Sequence, residues 1–447
     1  MMSGRERRRH EKSTGSDRYD SRSPAQRDRD RILYSSAFRR LSGITQVASP
    51  EEPYPVHNRL THSLKVAQVA RSLGTQLLRN PANTALINDL GGLDLDVVEA
   101  AALAHDLGHP PFGHVGERIL DNLLLDATLG GTVSGGYNGN AQSLRIVTNL
   151  SVRHRGSQGL NLTRATLNAI LKYPWTRAVT GARNEKWGVY ESESEDFEWC
   201  RSDSGLEPGE RSLEAQLMDW ADDITYAVHD MEDFFRAGIL PLERFATDSS
   251  ERERFLEAAA ERKGMNSTKI DQAKRAFENT GIVEIGLPGP FQGTHIDRAA
   301  LRGFTSNLIG KYIGRSVTLS LDENGKAGLR IDPEIELEVS ILKQLTWHYV
   351  IESPSLVSQR FGQASLIRSL FSLFCNEYLS QNQKGQEDPA ILPLFFRERL
   401  DANEDGDLGL KRIVADLISG MSESQVVAVH QRLTGLSLGS ALDMYIQ

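Results

Sequence analysis

The chain has 447 residues, 39% of them hydrophobic and 25% charged, and its formal net charge is −9. This composition can bury a sizeable core, so a disordered chain is excluded. Charges interrupt every apolar stretch before it reaches the roughly 18 residues that a membrane span needs. The basic start of the chain lacks the apolar segment of a signal peptide, and there are only two cysteines. We therefore expect a cytoplasmic protein without membrane contacts.

The net charge conceals an asymmetry between the start of the chain and the rest. Residues 1–40 hold twelve basic and six acidic side chains, so the remainder is more acidic than the total suggests. Broad nucleic-acid surfaces need clustered positive charge, and an acidic body disfavours that function class while permitting a small polyanionic ligand. Residues 1–26 are polar and almost without aliphatic side chains, which predicts a basic flexible tail.

The next elements are predicted from apolar spacing and capping residues. A helical pattern begins after Gln26, and a loop rich in Pro and Glu follows at 49–55. Asn58 is the expected N-cap of a helix that runs to about Leu78.

Asp96 is the expected cap of another helix, which runs from Val97 to about Asp106. Glycines make 130–139 a loop, and the acidic residues 180–211 predict a long loop. Further helical patterns occupy 140–150, 162–171, 213–236, 251–279, 297–313, 334–350, 356–380, 410–418 and 422–434.

One segment departs from the helical pattern. Asn324-Gly325 separates two short runs rich in β-formers, which predicts a β-hairpin near 317–331. The predicted fold class is therefore all-α with a small β-hairpin insertion.

Two of the predicted helices carry residues suited to chemistry. His62 is in line with Val66 and Val69, so it faces inward, where a histidine is more often a packed core residue than a ligand. His105 and Asp106 follow the small residues 100–104, which allow another helix to approach. A buried carboxylate is costly unless it is paired or binds a cation. Asp106 could equally cap a neighbouring helix or fix the tautomer of His105.

A third helix adds a polar row beside an apolar stripe. Asp222, Tyr226 and Asp230 recur every four residues, which fits either a solvated face or the wall of a polar cavity. Together with two histidines and Asp106, Asp222 completes a set of two imidazoles and two carboxylates. That set suits a divalent Mn, Mg, Co, Ni or Fe ion better than a structural zinc. Such an ion would polarise a phosphoryl oxygen and lower the pKa of a bound water.

The pattern His62, His105-Asp106 and Asp222 resembles the signature of HD-domain phosphohydrolases. Several blocks resemble the deoxyguanosine triphosphate triphosphohydrolase (dNTPase) family, namely residues 36–41, 45–47, 58–63, 105–114, 139–145 and 221–226. The resemblance implies an HD-domain helical core over 27–240, with the strict HD region at about 58–235. It also implies an additional C-terminal helical region over 241–447.

The resemblance further implies an activity and a ligand set. Family members hydrolyse a deoxynucleoside triphosphate, dGTP or several dNTPs, to deoxynucleoside and inorganic triphosphate. The matching metal ligands are His62, His105, Asp106 and Asp222. His109 matches a residue against the phosphates, although it could be only a turn residue. His114 and Glu117 lie three residues apart, so the carboxylate can hold the imidazole in one tautomer for proton transfer.

Substrate contacts are likewise implied by the resemblance. Arg59 and Lys186 match phosphate-binding residues, and Arg360 is a candidate for a further arginine from the carboxyl-terminal side. The sugar contacts fall on three residues. Gln46 matches the glutamine that bonds the 3′-hydroxyl, Tyr226 the tyrosine that leaves no room for a 2′-hydroxyl, and Asp230 a carboxylate on the sugar.

The family also implies partners, and two other functions stay open. A homo-oligomer, a tetramer or hexamer, is expected, with possible regulation by a dNTP or single-stranded DNA. The first alternative is an HD phosphohydrolase of another nucleotide, which would not need Gln46 and Tyr226. The second is a nucleotide-sensing regulator with little turnover, which would not need His114 and Glu117. Base preference, native metal and the need for an activator are not fixed by the sequence.

Overall fold

The computed structural model describes residues 4–10, 20–46, 57–155, 157–178, 185–287, 289–351, 354–384, 391–402 and 406–439. Within these ranges the chain forms 19 α-helices and two small two-stranded antiparallel sheets. The predicted all-α class is confirmed. The loop predicted at 49–55 lies outside the described residues, as do 1–3 and 11–19 of the predicted tail and 180–184 of the predicted acidic loop.

The first ten helices carry most of the residues singled out in the sequence. They are α1 Pro24–Leu33, α2 Ser36–Arg40, α3 Arg59–Leu78, α4 Thr84–Asp89, α5 Leu95–Ala104, α6 Gly113–Leu125, α7 Gly139–Arg145, α8 Arg164–Ile170, α9 Ser194–Arg201 and α10 Leu213–Arg236. Strands β1 Val152–His154 and β2 Ser157–Gln158 pair between α7 and α8.

Nine helices follow in the second half of the chain. They are α11 Leu242–Thr247, α12 Ser249–Lys263, α13 Ser267–Asn279, α14 His295–Arg315, α15 Pro333–Thr346, α16 Pro354–Lys384, α17 Leu394–Asp401, α18 Gly406–Ser419 and α19 Glu423–Leu433. The predicted hairpin is present as β3 Val317–Leu321 and β4 Ala327–Ile331, with Leu319 opposite Leu329. Helices α7 and α15 each continue into a π-helical turn, Ile146–Leu150 and Trp347–Ile351.

Capping side chains set the start of the two helices that lead to the candidate ligands. Asn58 caps α3 as predicted, because its side chain accepts the N–H of Thr61. The prediction that Asp96 caps α5 is wrong. Asp94 accepts the N–H groups of Asp96 and Val97 instead, since its extended backbone lets the carboxylate fold back over the first turn.

Two other local predictions fail for identifiable reasons. Residues 194–201 of the predicted acidic loop form helix α9, which buries Cys200 against the core. The single helix predicted over 251–279 is two helices, because Gly264 adopts a left-handed φ of 59° and ends α12.

Part of the predicted flexible tail is held against the body. Arg8 forms an ion pair with Asp28, whose side chain is fully buried. The backbone of Arg8 also forms an isolated β-bridge with Thr163. Arg5 pairs with the buried Glu214. Buried carboxylates require cationic partners, so residues 4–10 supply charge compensation for the helical core.

Within the described residues there are two large hydrophobic cores, besides a small cluster of Ala141, Trp187 and Tyr190. The larger is built by α1, α3, α5, α8 and α10, and it continues beyond residue 240 through α15 to Val350. The smaller joins α6 to the C-terminal helices α16, α18 and α19. Helix α6 therefore brings its first turn to the boundary between the two cores.

The segment after α5 is held very close to α7. A Cβ atom on Gly108 would lie 2.1 Å from the carbonyl oxygen of Gly139 and 2.3 Å from the amide nitrogen of Ser143. The Gly108 N–H is in turn bonded to Ser143 Oγ at 2.9 Å. In the part of the chain that the structure describes, no helix is long and apolar enough to cross a membrane.

Gly108→Ala should therefore destabilise the protein by about 1–3 kcal/mol, because the added methyl group clashes with backbone that cannot move aside. Urea unfolding monitored by circular dichroism measures the change. Gly310→Ala is the matched control: its Cβ meets nothing within 4 Å inside α14, and removing glycine from a helix should stabilise by about 0.5–1 kcal/mol. Equal midpoints for Gly108→Ala and the parent protein would contradict the close approach.

Candidate active site

Three elements of the larger core bring together one carboxylate and two imidazoles. His62 comes from α3, His105 follows the last residue of α5, and Asp222 lies in α10. The ligand atoms of these three residues all lie within 4.8 Å of one another. His62 Nε2 is 3.0 Å and His105 Nε2 is 3.7 Å from Asp222 Oδ1. The fully buried alanines 100–102 let the helices approach this closely.

The ring of His105 is held by a hydrogen bond to its own helix. Its Nδ1 lies 2.6 Å from the carbonyl oxygen of Ala102, to which it donates. The buried Nε2 has no hydrogen-bond partner among the described residues, so its lone pair faces the cluster. Imidazole nitrogens and a carboxylate oxygen are suitable donors for a divalent cation. The residues present therefore fit the metal that the sequence predicted.

Asp106 lies beside this group and is held by two neighbours. Its Oδ2 accepts a hydrogen bond from Arg59 Nη1 at 2.8 Å, while Oδ1 is 2.9 Å from His109 Nδ1 and 3.5 Å from His105 Nε2. Burial by itself raises the carboxyl pKa, but the positive charge of Arg59 and the contact with His109 outweigh it and hold the pKa of Asp106 well below its usual range. Its role as a fourth ligand stays a prediction.

Lys172 is a component of the site that the sequence did not reveal. Its Nζ is 3.0 Å from Asp222 Oδ2 and 2.7 Å from Asp219 Oδ1. Burial opposes ionisation of Asp222, but the charge of Lys172 and the hydrogen bond from His62 keep its pKa well below the ordinary value. A single lysine after the short helix α8 has no distinctive spacing, so no sequence pattern identified it.

The predicted proton-transfer pair is assembled on the first turn of α6. His114 Nδ1 is 2.9 Å from Glu117 Oε2, and Glu117 Oε1 accepts the N–H of Gly139 at 2.8 Å. Burial raises the pKa of Glu117, but the hydrogen bonds from His114 and from the backbone N–H of Gly139 outweigh it and lower the pKa to about 2. The carboxylate is therefore ionised at neutral pH, and the imidazole presents Nε2 for proton exchange.

His109 completes this side of the site. Burial first, and then the charge of Arg59, lower the pKa of its imidazole, so it is neutral near pH 7. The nitrogen and oxygen atoms of His109, His114 and Glu117 also all lie within 4.8 Å of one another. The proton-transfer pair and the Asp106 cluster are thus directly adjacent.

Most of these groups open onto one cavity of about 690 Å³, but His62 is not among the residues that line it. Most of the residues that the sequence singled out line it, namely Gln46, Arg59, His105, Asp106, His109, His114, Glu117, Lys186, Asp222 and Tyr226. Of the charged side chains that line the cavity, six are basic and four are acidic. The basic ones are Arg59, Arg118, Lys172, Lys186, Lys343 and Arg360, and the acidic ones are Asp106, Glu117, Asp222 and Asp223. The cavity is therefore locally cationic in an acidic protein, which favours an anionic ligand.

Two of the predicted sugar contacts lie on the cavity wall and one does not. The buried Oε1 of Gln46 has no hydrogen-bond partner among the described residues, so it can accept from a ligand. Burial raises the pKa of Tyr226, whose phenol stays protonated. Asp230 is only 3% exposed and lies behind the wall, where burial and the charge of Asp233 raise its pKa well above the usual range.

The far wall comes from the C-terminal half of the chain. Lys343, Trp347 and Ile351 recur every four residues along α15 and its π-helical turn, and all three line the cavity. Lys343 Nζ is 2.7 Å from Asp223 Oδ1. Arg360, the candidate arginine, also lines the cavity, and its Nη1 donates to the carbonyl oxygen of Ile351 at 3.3 Å.

The sequence matches two known domain families and is similar to known proteins. The HD domain matches residues 59–227, and the phosphohydrolase-associated domain matches residues 329–432. A deoxyguanosinetriphosphate triphosphohydrolase-like protein of Streptomyces coelicolor is 38% identical over 437 residues, covering 94% of each chain. The chain belongs to this HD-domain phosphohydrolase family.

Other members of the family extend the same likeness. Proteins of the same name from Corynebacterium efficiens and Bifidobacterium longum are 36% and 35% identical to this chain. The alignment covers 94% of this chain and 93% of the first relative, and 92% of this chain and 83% of the second. The chain is thus a hydrolase of phosphate esters or anhydrides, and the predicted family is confirmed.

The two domain matches divide the site between them. The HD domain contains the candidate metal group and Tyr226, whereas the phosphohydrolase-associated domain contains the far wall with Lys343 and Arg360. HD-domain phosphohydrolases depend on a metal, and the His62, His105 and Asp222 group is the candidate site in this member.

His105→Ala should weaken divalent-metal binding at least about tenfold, because it removes the imidazole whose Nε2 faces the cluster. Metal content after dialysis, measured by mass spectrometry, and Mn²⁺ titration calorimetry both report the change. His229→Ala is the control, since His229 is a mostly buried histidine on α10 that contacts Lys65 rather than the cluster. Unchanged Mn²⁺ affinity in a folded His105→Ala protein would place the metal elsewhere.

Proposed function

We propose that this phosphohydrolase hydrolyses deoxynucleoside triphosphates, dGTP or several dNTPs, to deoxynucleoside and inorganic triphosphate. The observation that carries the proposal is the content of one cavity. Two of the three candidate metal ligands, His105 and Asp222, line the same space as six basic side chains, an unpaired Gln46 acceptor and the Tyr226 ring. The relatives bear the name deoxyguanosinetriphosphate triphosphohydrolase-like, which agrees with this substrate class.

The charges of the cavity suit a triphosphate. Arg59 is fixed by Asp106 and by the carbonyl oxygen of Thr45, so its guanidinium is oriented before a ligand arrives. Lys186 lies on the exposed side of the cavity. A divalent ion, Mn or Mg in the simplest case, would add Lewis-acid stabilisation and an activated water when bound.

The proposed reaction is attack of a water oxygen on the α-phosphorus. The new bond joins that oxygen to phosphorus, and the bond from the α-phosphorus to the 5′-oxygen breaks. The departing 5′-oxygen needs a proton, and the water must lose one. His114 is placed for this exchange, because Glu117 holds its Nδ1–H while the side chain reaches into the cavity.

In this proposal the sugar contacts are made by Tyr226 and Gln46. Tyr226 lies one helical turn, or about 6 Å along the axis of α10, after the candidate ligand Asp222. We propose that the Tyr226 ring fills the space of a 2′-hydroxyl and that Gln46 accepts the 3′-hydroxyl. Asp230 keeps its predicted role only if it reaches the sugar past the wall formed by Tyr226.

The predicted partners belong to the same proposal. On the basis of the family resemblance we propose a homo-oligomer, a tetramer or hexamer, with possible regulation by a dNTP or single-stranded DNA. Size-exclusion chromatography with light scattering, with and without dNTP, is the direct measurement.

The product identifies the reaction. Each dNTP should give inorganic triphosphate and deoxynucleoside in the presence of Mn²⁺ or Mg²⁺, and in ¹⁸O-labelled water the label should appear in triphosphate. Release of pyrophosphate or phosphate would indicate a different phosphohydrolase. Substrate binding without any product would indicate a sensor. His105→Ala provides the inactive control from the same preparation.

Tyr226→Ala should lower the preference for dNTP over NTP by about 10- to 100-fold, since an added hydroxyl is excluded only by lack of space. The ratio of kcat/KM for dGTP and GTP measures it. Tyr226→Phe keeps the ring and should retain the preference. If the alanine variant discriminates as well as the parent, Tyr226 does not select the sugar.

A further inference from the structure

A single glutamate from the C-terminal end of the chain is bonded to two segments of the site. Glu423 is the first residue of α19 and is 7% exposed. Its Oε1 accepts the backbone N–H of Thr45 at 2.7 Å and that of Phe112 at 3.0 Å. Its Oε2 accepts the hydroxyl of Thr45 at 2.7 Å. One buried carboxylate therefore joins segments that are more than 300 residues away in sequence.

The first of these segments serves the substrate-binding side of the cavity. Thr45 immediately precedes Gln46, and its carbonyl oxygen accepts Arg59 Nε at 3.0 Å. The position of the Thr45 backbone thus sets both the Gln46 side chain and the direction of the Arg59 guanidinium.

The second segment serves the proton-transfer side. Phe112 has a left-handed φ of 65°, an unfavourable conformation for a residue with a side chain, and α6 begins directly after it. His114 and Glu117 lie in the first turn of α6. Holding the Phe112 N–H therefore fixes where that turn begins.

Neighbouring contacts tighten the same junction. Arg40 Nη2 donates to the carbonyl oxygens of Leu107 and His109 at 2.7 and 2.9 Å, while its Nη1 donates to that of Met421 at 3.3 Å. A Cβ atom on Gly43 would lie 2.8 Å from Ser422 Cβ, so Gly43 packs directly against the Ser422 side chain. The start of α19 is thus packed on the site.

We propose that Glu423 is a positioning residue, which sets Gln46 and Arg59 through Thr45 and sets His114 through Phe112. The inference rests on the proposed function only for the substrate used to measure it. The inference makes the C-terminal helical region a part of the active site. The positioning role requires the three hydrogen bonds that the Glu423 side chain accepts, and it does not require a negative charge.

The substitutions follow from the bond pattern. In Glu423→Gln the amide oxygen can still accept both backbone N–H groups, and the Thr45 hydroxyl can turn to accept from the amide nitrogen. Glu423→Ala leaves two buried N–H groups without an acceptor. Ser422→Ala is the matched control, because it removes the N-cap of the same helix without touching Thr45 or Phe112.

Steady-state kinetics on dGTP with Mn²⁺ should show the effect in both parameters. Glu423→Ala should raise KM and lower kcat, for a combined loss in kcat/KM of about 10- to 100-fold, as small misplacements of reacting groups do. Glu423→Gln should restore most of the loss. A merely structural role would reduce the active fraction and the melting temperature, as expected for Ser422→Ala, and leave KM unchanged.

Hydrogen–deuterium exchange gives a readout that needs no turnover. The amides of Thr45 and Phe112 should exchange faster in Glu423→Ala than in the parent protein, Ser422→Ala or Glu423→Gln. Parent kinetic constants in a folded Glu423→Ala protein, or unchanged exchange at both amides, would overturn the inference. Absence of dNTP turnover in the parent protein would refute the proposed function instead, and the exchange result would still decide the role of Glu423.

Discussion

The arrangement of the site depends on keeping two carboxylates ionised between closely packed helices. Asp106 is buried and Asp222 mostly so, and removing a carboxylate from water costs several kcal/mol unless cations compensate it. Arg59 compensates the first and Lys172 the second. Both carboxylates also face the Nε2 of His105, which has no hydrogen-bond partner among the described residues. A further cation at this point would be stabilised by both carboxylates and by the Nε2 of His105, which is why the group suits a divalent metal.

The position of the cavity follows from the meeting of two hydrophobic cores. The candidate ligands belong to the larger core, whereas α6 packs in the smaller core with the C-terminal helices. The candidate metal ligands and the predicted proton-transfer pair therefore depend on separately packed parts of the chain. The hydrogen bonds that Arg40 donates and those that Glu423 accepts tie those parts together. The phosphohydrolase-associated domain, which contains Glu423, is thus joined to the HD domain at the site itself.

Local sequence rules predicted much of the scaffold. Helix α10 has the predicted limits Leu213–Arg236, Asn58 caps α3, and Asn324-Gly325 forms the expected hairpin. Each depends on neighbours a few residues away. Predictions failed where two local choices competed. Asp94 and Asp96 can both cap a helix, and only packing of α5 selects the first. An acidic segment can likewise become helical, as α9 does, when tertiary contacts bury one face.

By itself, the sequence determined the chemical inventory: inward-facing histidines, acidic residues at helical spacing and the family of the chain. The inward-facing histidines and the acidic row follow from residue type and periodicity, which are local properties, whereas the family follows from the resemblance of the motif blocks. Only the tertiary structure decided which distant cations neutralise the carboxylates, as Lys172 does for Asp222, and that Asp230 lies behind the cavity wall. It also decided that Glu423 reaches Thr45 and Phe112. Such pairings are set by how helices pack across the whole chain, and no spacing rule relates residues more than 300 positions apart.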